Sequence, residues 1–131
     1  MPVNFYFNPV FKIRLDKVIA GLCEWGYKPI IVSGRRTLAE QKILLAQGKT
    51  KTLHSKHLTG KAADVVDLKM KWNAPNRFWL QMAFLVNKYG LKSGIYFGLS
   101  TVEKKQLKAK LDNAIFKTDV KIGWDPNHIE L

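Results

Sequence analysis

A chain of 131 residues with 47% hydrophobic content can bury a core of its own, and at this length it reads as one domain over residues 1–131. The formal charge of +12 points to polyanionic partners, either a nucleic acid or an anionic cell surface, and says little about fold. No apolar run approaches the ~20 residues of a bilayer-spanning helix, and a single Cys23 excludes an internal disulfide, which fits a reducing compartment.

The N-terminal Met1-Pro2-Val3-Asn4-Phe5 lacks a basic region, an apolar core and a small-residue cleavage site, so no secretory signal is expected. Asn8-Pro9 starts a first helix, with Asn as cap and Pro in the first turn, running to about Trp25 and stopping at Gly26. Cys23 lies in its Leu15, Val18, Ile19, Leu22 pattern and is expected to be a buried structural thiol. Lys28 to Ser33 is a short β-branched strand, and Thr37-Leu38-Ala39-Glu40 is a capping box opening a second helix that stops at Gly48. Lys49 to Thr59 is polar and loop-like, and Ala62 to Leu68 is a strand. Asn73-Ala74-Pro75 opens a third helix, apolar nearly all round, which predicts burial against a sheet before Gly90 ends it. Lys92 to Phe97 reads as a strand, and Ser100-Thr101-Val102-Glu103 as a second capping box. The helix that follows carries Lys104, Lys105, Lys108 and Lys110, read as a solvated face. Thr118 to Ile122 and His128 to Leu131 read as two closing strands. Short connections and a final strand pair predict an α+β fold: a small mixed or antiparallel sheet with helices packed on it.

The densest chemistry lies in Ser55-Lys56-His57-Leu58-Thr59-Gly60-Lys61-Ala62-Ala63-Asp64. An imidazole on a loop and a carboxylate on the following strand are two metal ligands held on different supports. On residues alone a histidine before a strand is usually a solvated loop residue, and Asp64 reads also as a carboxylate capping a backbone N–H. A catalytic zinc site needs a third protein ligand and an open position. Of the three histidines, at 54, 57 and 128, His128 in Trp124-Asp125-Pro126-Asn127-His128 is the best candidate for that third ligand.

Ser-x-His-x-x-Gly-x-Ala-x-Asp followed by a distant Trp-Asp-x-x-His resembles the zinc D,D-peptidase family. That family includes the VanX and VanY type D-alanyl-D-alanine peptidases and the phage L-alanyl-D-glutamate endopeptidase endolysins. Ser33-Gly34-Arg35-Arg36-Thr37-Leu38-Ala39-Glu40-Gln41 resembles a third block, a strand leading through a Gly-x-Arg turn into a helix with Glu-Gln. The three blocks cover the chain from about position 28 onward. The resemblance implies the α+β fold shared by D,D-peptidases and the Hedgehog signalling domain, with one Zn2+ held by His57, Asp64 and His128. It implies Asp125, three residues before the last histidine, as general base. Many members carry Glu there, one methylene longer, and apart from the resemblance Asp125 reads as a turn carboxylate before Pro126. Arg36 resembles the arginine that contacts substrate or steadies the oxyanion, and Ser55 either hydrogen-bonds substrate or supports its loop. Glu130 shares a strand face with His128 and could orient its imidazole. His54 matches no ligand position, and Asp67 alternates away from the face of Asp64.

The function implied is cleavage of the peptidoglycan stem peptide between L-alanine and D-glutamate by a phage or prophage endolysin. Such an enzyme would be held in the host cytoplasm until a holin-like pore admits it to the wall. Its partners would be the stem peptide and, by charge, an anionic wall or outer-membrane surface, with a monomer expected. The alternatives are a D-alanyl-D-alanine carboxypeptidase or dipeptidase of the same fold, and a non-catalytic polyanion-binding module. Against specific nucleic-acid binding, no helix-turn-helix, zinc-finger spacing or aromatic-basic sheet motif is present.

Overall fold

The computed structural model describes residues 7–34, 38–48, 56–117 and 119–131. Its elements are α1 (Pro9–Glu24), β1 (Pro29–Ser33), α2 (Leu38–Ala46), a 3-10 turn (Lys56–Thr59), β2 (Ala62–Asp67), α3 (Asn76–Lys88), β3 (Lys92–Ser93), a second 3-10 turn (Gly94–Tyr96), α4 (Thr101–Asp112) and β4 (His128–Glu130). The strands form one sheet in the order β1-β2-β4-β3, antiparallel throughout. The fold is therefore α+β, as the pattern predicts. Among the described residues no helix is long and apolar enough to cross a membrane.

Local signals set the helix ends. The Asn8 side chain accepts hydrogen bonds from the amides of Val10 (3.0 Å) and Phe11 (3.2 Å). Ser100 and Glu103 satisfy each other's amides at 3.1 and 2.9 Å, completing the capping box. The expected box at Thr37 lies outside the described residues.

In α1, Phe11, Leu15, Val18 and Leu22 fall at helical spacing and are buried on one stripe. Each such side chain contributes about 1.5–3 kcal/mol on leaving water. The stripe meets α3, and Gly21 lets the two helices approach: a Cβ there would stand 2.8 Å from Leu85 Cδ1. The middle of α3 is buried continuously from Phe78 to Ala83, then at Leu85 and Val86. Even Gln81 is covered, its amide oxygen accepting from the Tyr27 hydroxyl. The expected burial holds, but α3 is enclosed by α1, α4 and the β3 edge rather than laid on a sheet face alone.

Three expectations are corrected. The Lys92–Phe97 strand is two residues long, because Ser93 Oγ accepts from the Ile95 amide (3.0 Å) and turns the chain into a 3-10 turn. Residues 119–122 are not a strand, since the backbone that follows pairs with that turn instead: the Gly123 amide donates to the Ile95 carbonyl and the Trp124 amide to the Phe97 carbonyl. Cys23 is exposed. It follows the buried Leu22 directly, so about 100° of helical rotation carries it off the stripe.

Candidate metal centre

β2 is the axis of the site. In the antiparallel registers Asp64 lies opposite Ser33 of β1 and opposite His128 of β4. Side chains directly opposite each other share a sheet face, so Asp64 and His128 are brought together although 64 positions separate them. His57 arrives from the preceding 3-10 turn. Gly60, at φ +70°, reverses the chain from that turn into β2.

His57, Asp64 and His128 each offer a ligand atom, and these atoms lie within 4.8 Å of one another; they form such a group among the described residues. The other ring nitrogen of each histidine shows which atom faces the centre. His57 Nδ1 is 2.7 Å from the Gly34 carbonyl oxygen. A carbonyl only accepts, so Nδ1 carries a proton and the ring presents Nε2 to Asp64 Oδ2, at 3.5 Å. His128 Nε2 lies 3.0 Å from Glu130 Oε1, and its Nδ1 stands 3.4 Å from Asp64 Oδ1. Those two Asp64 distances are long for direct hydrogen bonds. They run to different oxygens of the carboxylate, one toward each imidazole. The donor set, two imidazoles and a carboxylate, thus fits zinc in chemistry and tautomer.

Electrostatics agree. Burial by itself would raise the Asp64 carboxyl, but hydrogen bonds and charge from His128 and His57 hold it well below the usual carboxylate range. Burial would lower His128, yet Asp64 and Glu130 push it up to about 9. The hydrogen bond from His128, against an opposing effect of burial and with help from Lys56, lowers Glu130 to about 2. The cluster is built to hold positive charge.

Asp125 stands at the edge, half-buried, with Oδ2 4.0 Å from His128 Nδ1. A turn fixes it: the His128 amide donates to the Asp125 carbonyl (3.1 Å), and the Val65 amide to the Asn127 carbonyl (2.9 Å). Gly94 packs beneath, where a Cβ would run into the Asp125 carbonyl and come within 2.9 Å of His128 Cβ. Asp67 faces away and accepts the amides of Lys28, Lys69 and Met70 at 2.9–3.0 Å, as strand parity predicts. Arg36, Ser55 and His54 lie outside the described residues. The sequence reading passed over Gly94, Gly34 and Lys56. The roles of all three depend on contacts far along the chain and carry no local signature.

The family model for phage L-alanyl-D-glutamate peptidases matches residues 12–131. The chain belongs to that family. No curated protein matches it. Among solved structures, this phage-peptidase family member is similar to the L-Ala D-Glu endopeptidase ChiX of Serratia marcescens, at TM-score 0.58 and 20% identity over 95% of this chain and 80% of that one. It is similar to the LdcB LD-carboxypeptidase, at TM-score 0.56 and 18% identity over 98% and 64%. A third similar structure is a zinc complex of the D,D-pentapeptidase VanY from a VanB-type vancomycin resistance cassette, at 0.59 and 14% over 95% and 71%. At these identities the likeness is one of fold, the fold expected from the motif blocks.

Proposed function

We propose that this phage-family peptidase hydrolyses the L-alanyl–D-glutamate bond of the peptidoglycan stem peptide with one zinc ion held by His57 Nε2, the Asp64 carboxylate and His128 Nδ1. The observation that carries the reading is the convergence of these three groups, with each imidazole fixed from behind by an acceptor. When bound, zinc supplies a Lewis acid that polarises a carbonyl and lets water deprotonate near neutral pH.

The protein's own residues do the rest. Asp125, on a braced turn beside His128, takes a proton from the water whose oxygen attacks the alanyl carbonyl carbon. It then delivers that proton to the departing nitrogen as the C–N bond breaks, leaving an alanyl carboxylate and a free D-glutamyl amine. Asp is a methylene shorter than Glu, and its turn is closed by the bond from the His128 amide to the Asp125 carbonyl. Arg36 and Ser55 are assigned by motif alone, Arg36 to substrate or oxyanion and Ser55 to substrate. We further propose an endolysin acting as a monomer, released from the host cytoplasm by a holin-like pore, with the +12 charge favouring an anionic wall.

The test is digestion of purified peptidoglycan with and without chelator, with the new ends read by mass spectrometry. New N-terminal D-glutamate, lost on chelation and restored by zinc, is expected. Release of free D-alanine would replace this reading with a carboxypeptidase, and absence of cleavage of every wall type despite bound zinc with a binding module.

A further inference from the structure

Behind His128 the hydrogen-bonded chain does not stop at Glu130. Glu130 uses its two oxygens on different partners: Oε1 meets His128 Nε2 at 3.0 Å, and Oε2 meets Lys56 Nζ at 2.8 Å. Lys56 Nζ also donates to the main-chain oxygen of Leu131 at 2.6 Å. Lys56 is the first residue of the 3-10 turn and the immediate neighbour of His57. Its backbone carbonyl accepts from the Lys61 amide (3.0 Å) and from Thr59 Oγ1 (3.1 Å), so the base of the side chain is fixed as well as its tip. One residue therefore joins the turn that carries the first histidine to the strand that carries the last, by a route separate from the β2–β4 ladder.

We propose that Lys56 is a positioning residue for the metal centre: by fixing Glu130 it holds the His128 ring with Nδ1 turned toward Asp64. A carboxylate with a single partner can swing about its last torsion. One pinned by an ammonium at the opposite oxygen cannot, and its remaining lone pair stays aimed at Nε2. The Glu130 side chain is 17% exposed and that of Lys56 40%, so the carboxylate is the sheltered partner, and the second bond of Lys56 to the Leu131 oxygen holds the more solvated ammonium in place. The proposal rests on the zinc reading above but not on peptidase activity, because metal affinity is what it predicts.

The experiment measures Zn2+ affinity of the full-length protein by competition with a chromophoric chelator. It compares wild type, Lys56→Met, Lys56→Arg, Glu130→Gln and the Lys56→Met/Glu130→Gln double variant. Partners behind a metal-bound histidine cost 10–100-fold when removed. Lys56→Met is expected to weaken zinc by about 10-fold, at the lower end since it acts through a second residue. Lys56→Arg should keep affinity within roughly 3-fold, and Lys56→Met should add less than about 2-fold once Glu130 is Gln, because the route then no longer exists. In long-range proton–nitrogen spectra of the zinc form, the His128 Nε2–H signal should broaden in Lys56→Met and stay sharp in Lys56→Arg. Circular dichroism checks folding, and Lys56→Gln replaces Lys56→Met if the latter does not fold. Unchanged zinc affinity in a folded Lys56 variant, or the same loss with and without Glu130, overturns the proposal and leaves the metal centre standing. Failure of the wild type to bind zinc overturns both.

Discussion

Metal-free His128 is pushed from 6.5 up to about 9, so at neutral pH its ring holds a proton that zinc must displace. Asp64 lies well below its ordinary range, is already ionised, and adds no slope. Each pH unit well below 9 should therefore tighten zinc about tenfold, and less as 9 is approached. From pH 7.0 to 8.5 that amounts to about 25-fold, or about 2 kcal/mol. Chelator competition across that range measures it, and calorimetry in two buffers of different ionisation enthalpy should show about one proton released at pH 7.5. Metal-free stability runs the other way. Because His128 is raised, its contribution is complete below about 6.5 and is lost as pH climbs through about 9, which denaturant titration in chelator will follow. A zinc affinity flat from pH 7.0 to 8.5, or binding without proton release, would refute this account of how Asp64 and Glu130 act on His128.

Asp125→Ala should lower kcat by at least about 100-fold while zinc content, read by atomic absorption, stays near one per chain; retained cleavage would remove it as base. His128→Ala should strip the metal on dialysis, and full occupancy afterwards would take it out of the ligand set. Gly94→Ala drives a methyl against the Asp125 carbonyl, so a stability loss of roughly 1–3 kcal/mol and weaker zinc are expected, by thermal melting and chelator competition. Phe11→Ala removes a fully buried ring that is not one of the ligands. It should cost about 3–5 kcal/mol with zinc affinity of the folded fraction unchanged, which separates core from site.

What was legible in the sequence was what a few neighbouring residues decide. Asn8-Pro9 and Ser100 with Glu103 cap their helices through bonds two or three positions away, and a reader of the chain sees both partners at once. Strand parity placed Glu130 beside His128 and turned Asp67 away, since alternation needs only the assumption of an extended backbone. The strand over Lys92–Phe97 failed because its β-like residues mask the Ser93 cap on the Ile95 amide, which turns the chain after two residues. The burial of Cys23 failed because a residue beside a stripe is not on it. The Asp64–His128 pairing and the Lys56–Glu130 clamp are sheet-level facts. The first was reached by motif resemblance, and nothing local announces the second.

The strand order has a consequence for how the molecule comes into being. β4 comes after the other three strands in sequence, yet it sits between β2 and β3, and among the described residues β3 pairs with the sheet through it. Without β4, the paired β1 and β2 would keep an open edge, β3 would lack its partner strand, and the candidate metal group would hold two of its three residues. Such an open edge invites pairing with other chains. Pairing of that one three-residue strand closes the edge, joins β3 to the sheet and sets His128 opposite Asp64. The long sequence separation of these pairings makes that step a slow one, so metal-binding competence should emerge together with the sheet and never ahead of it.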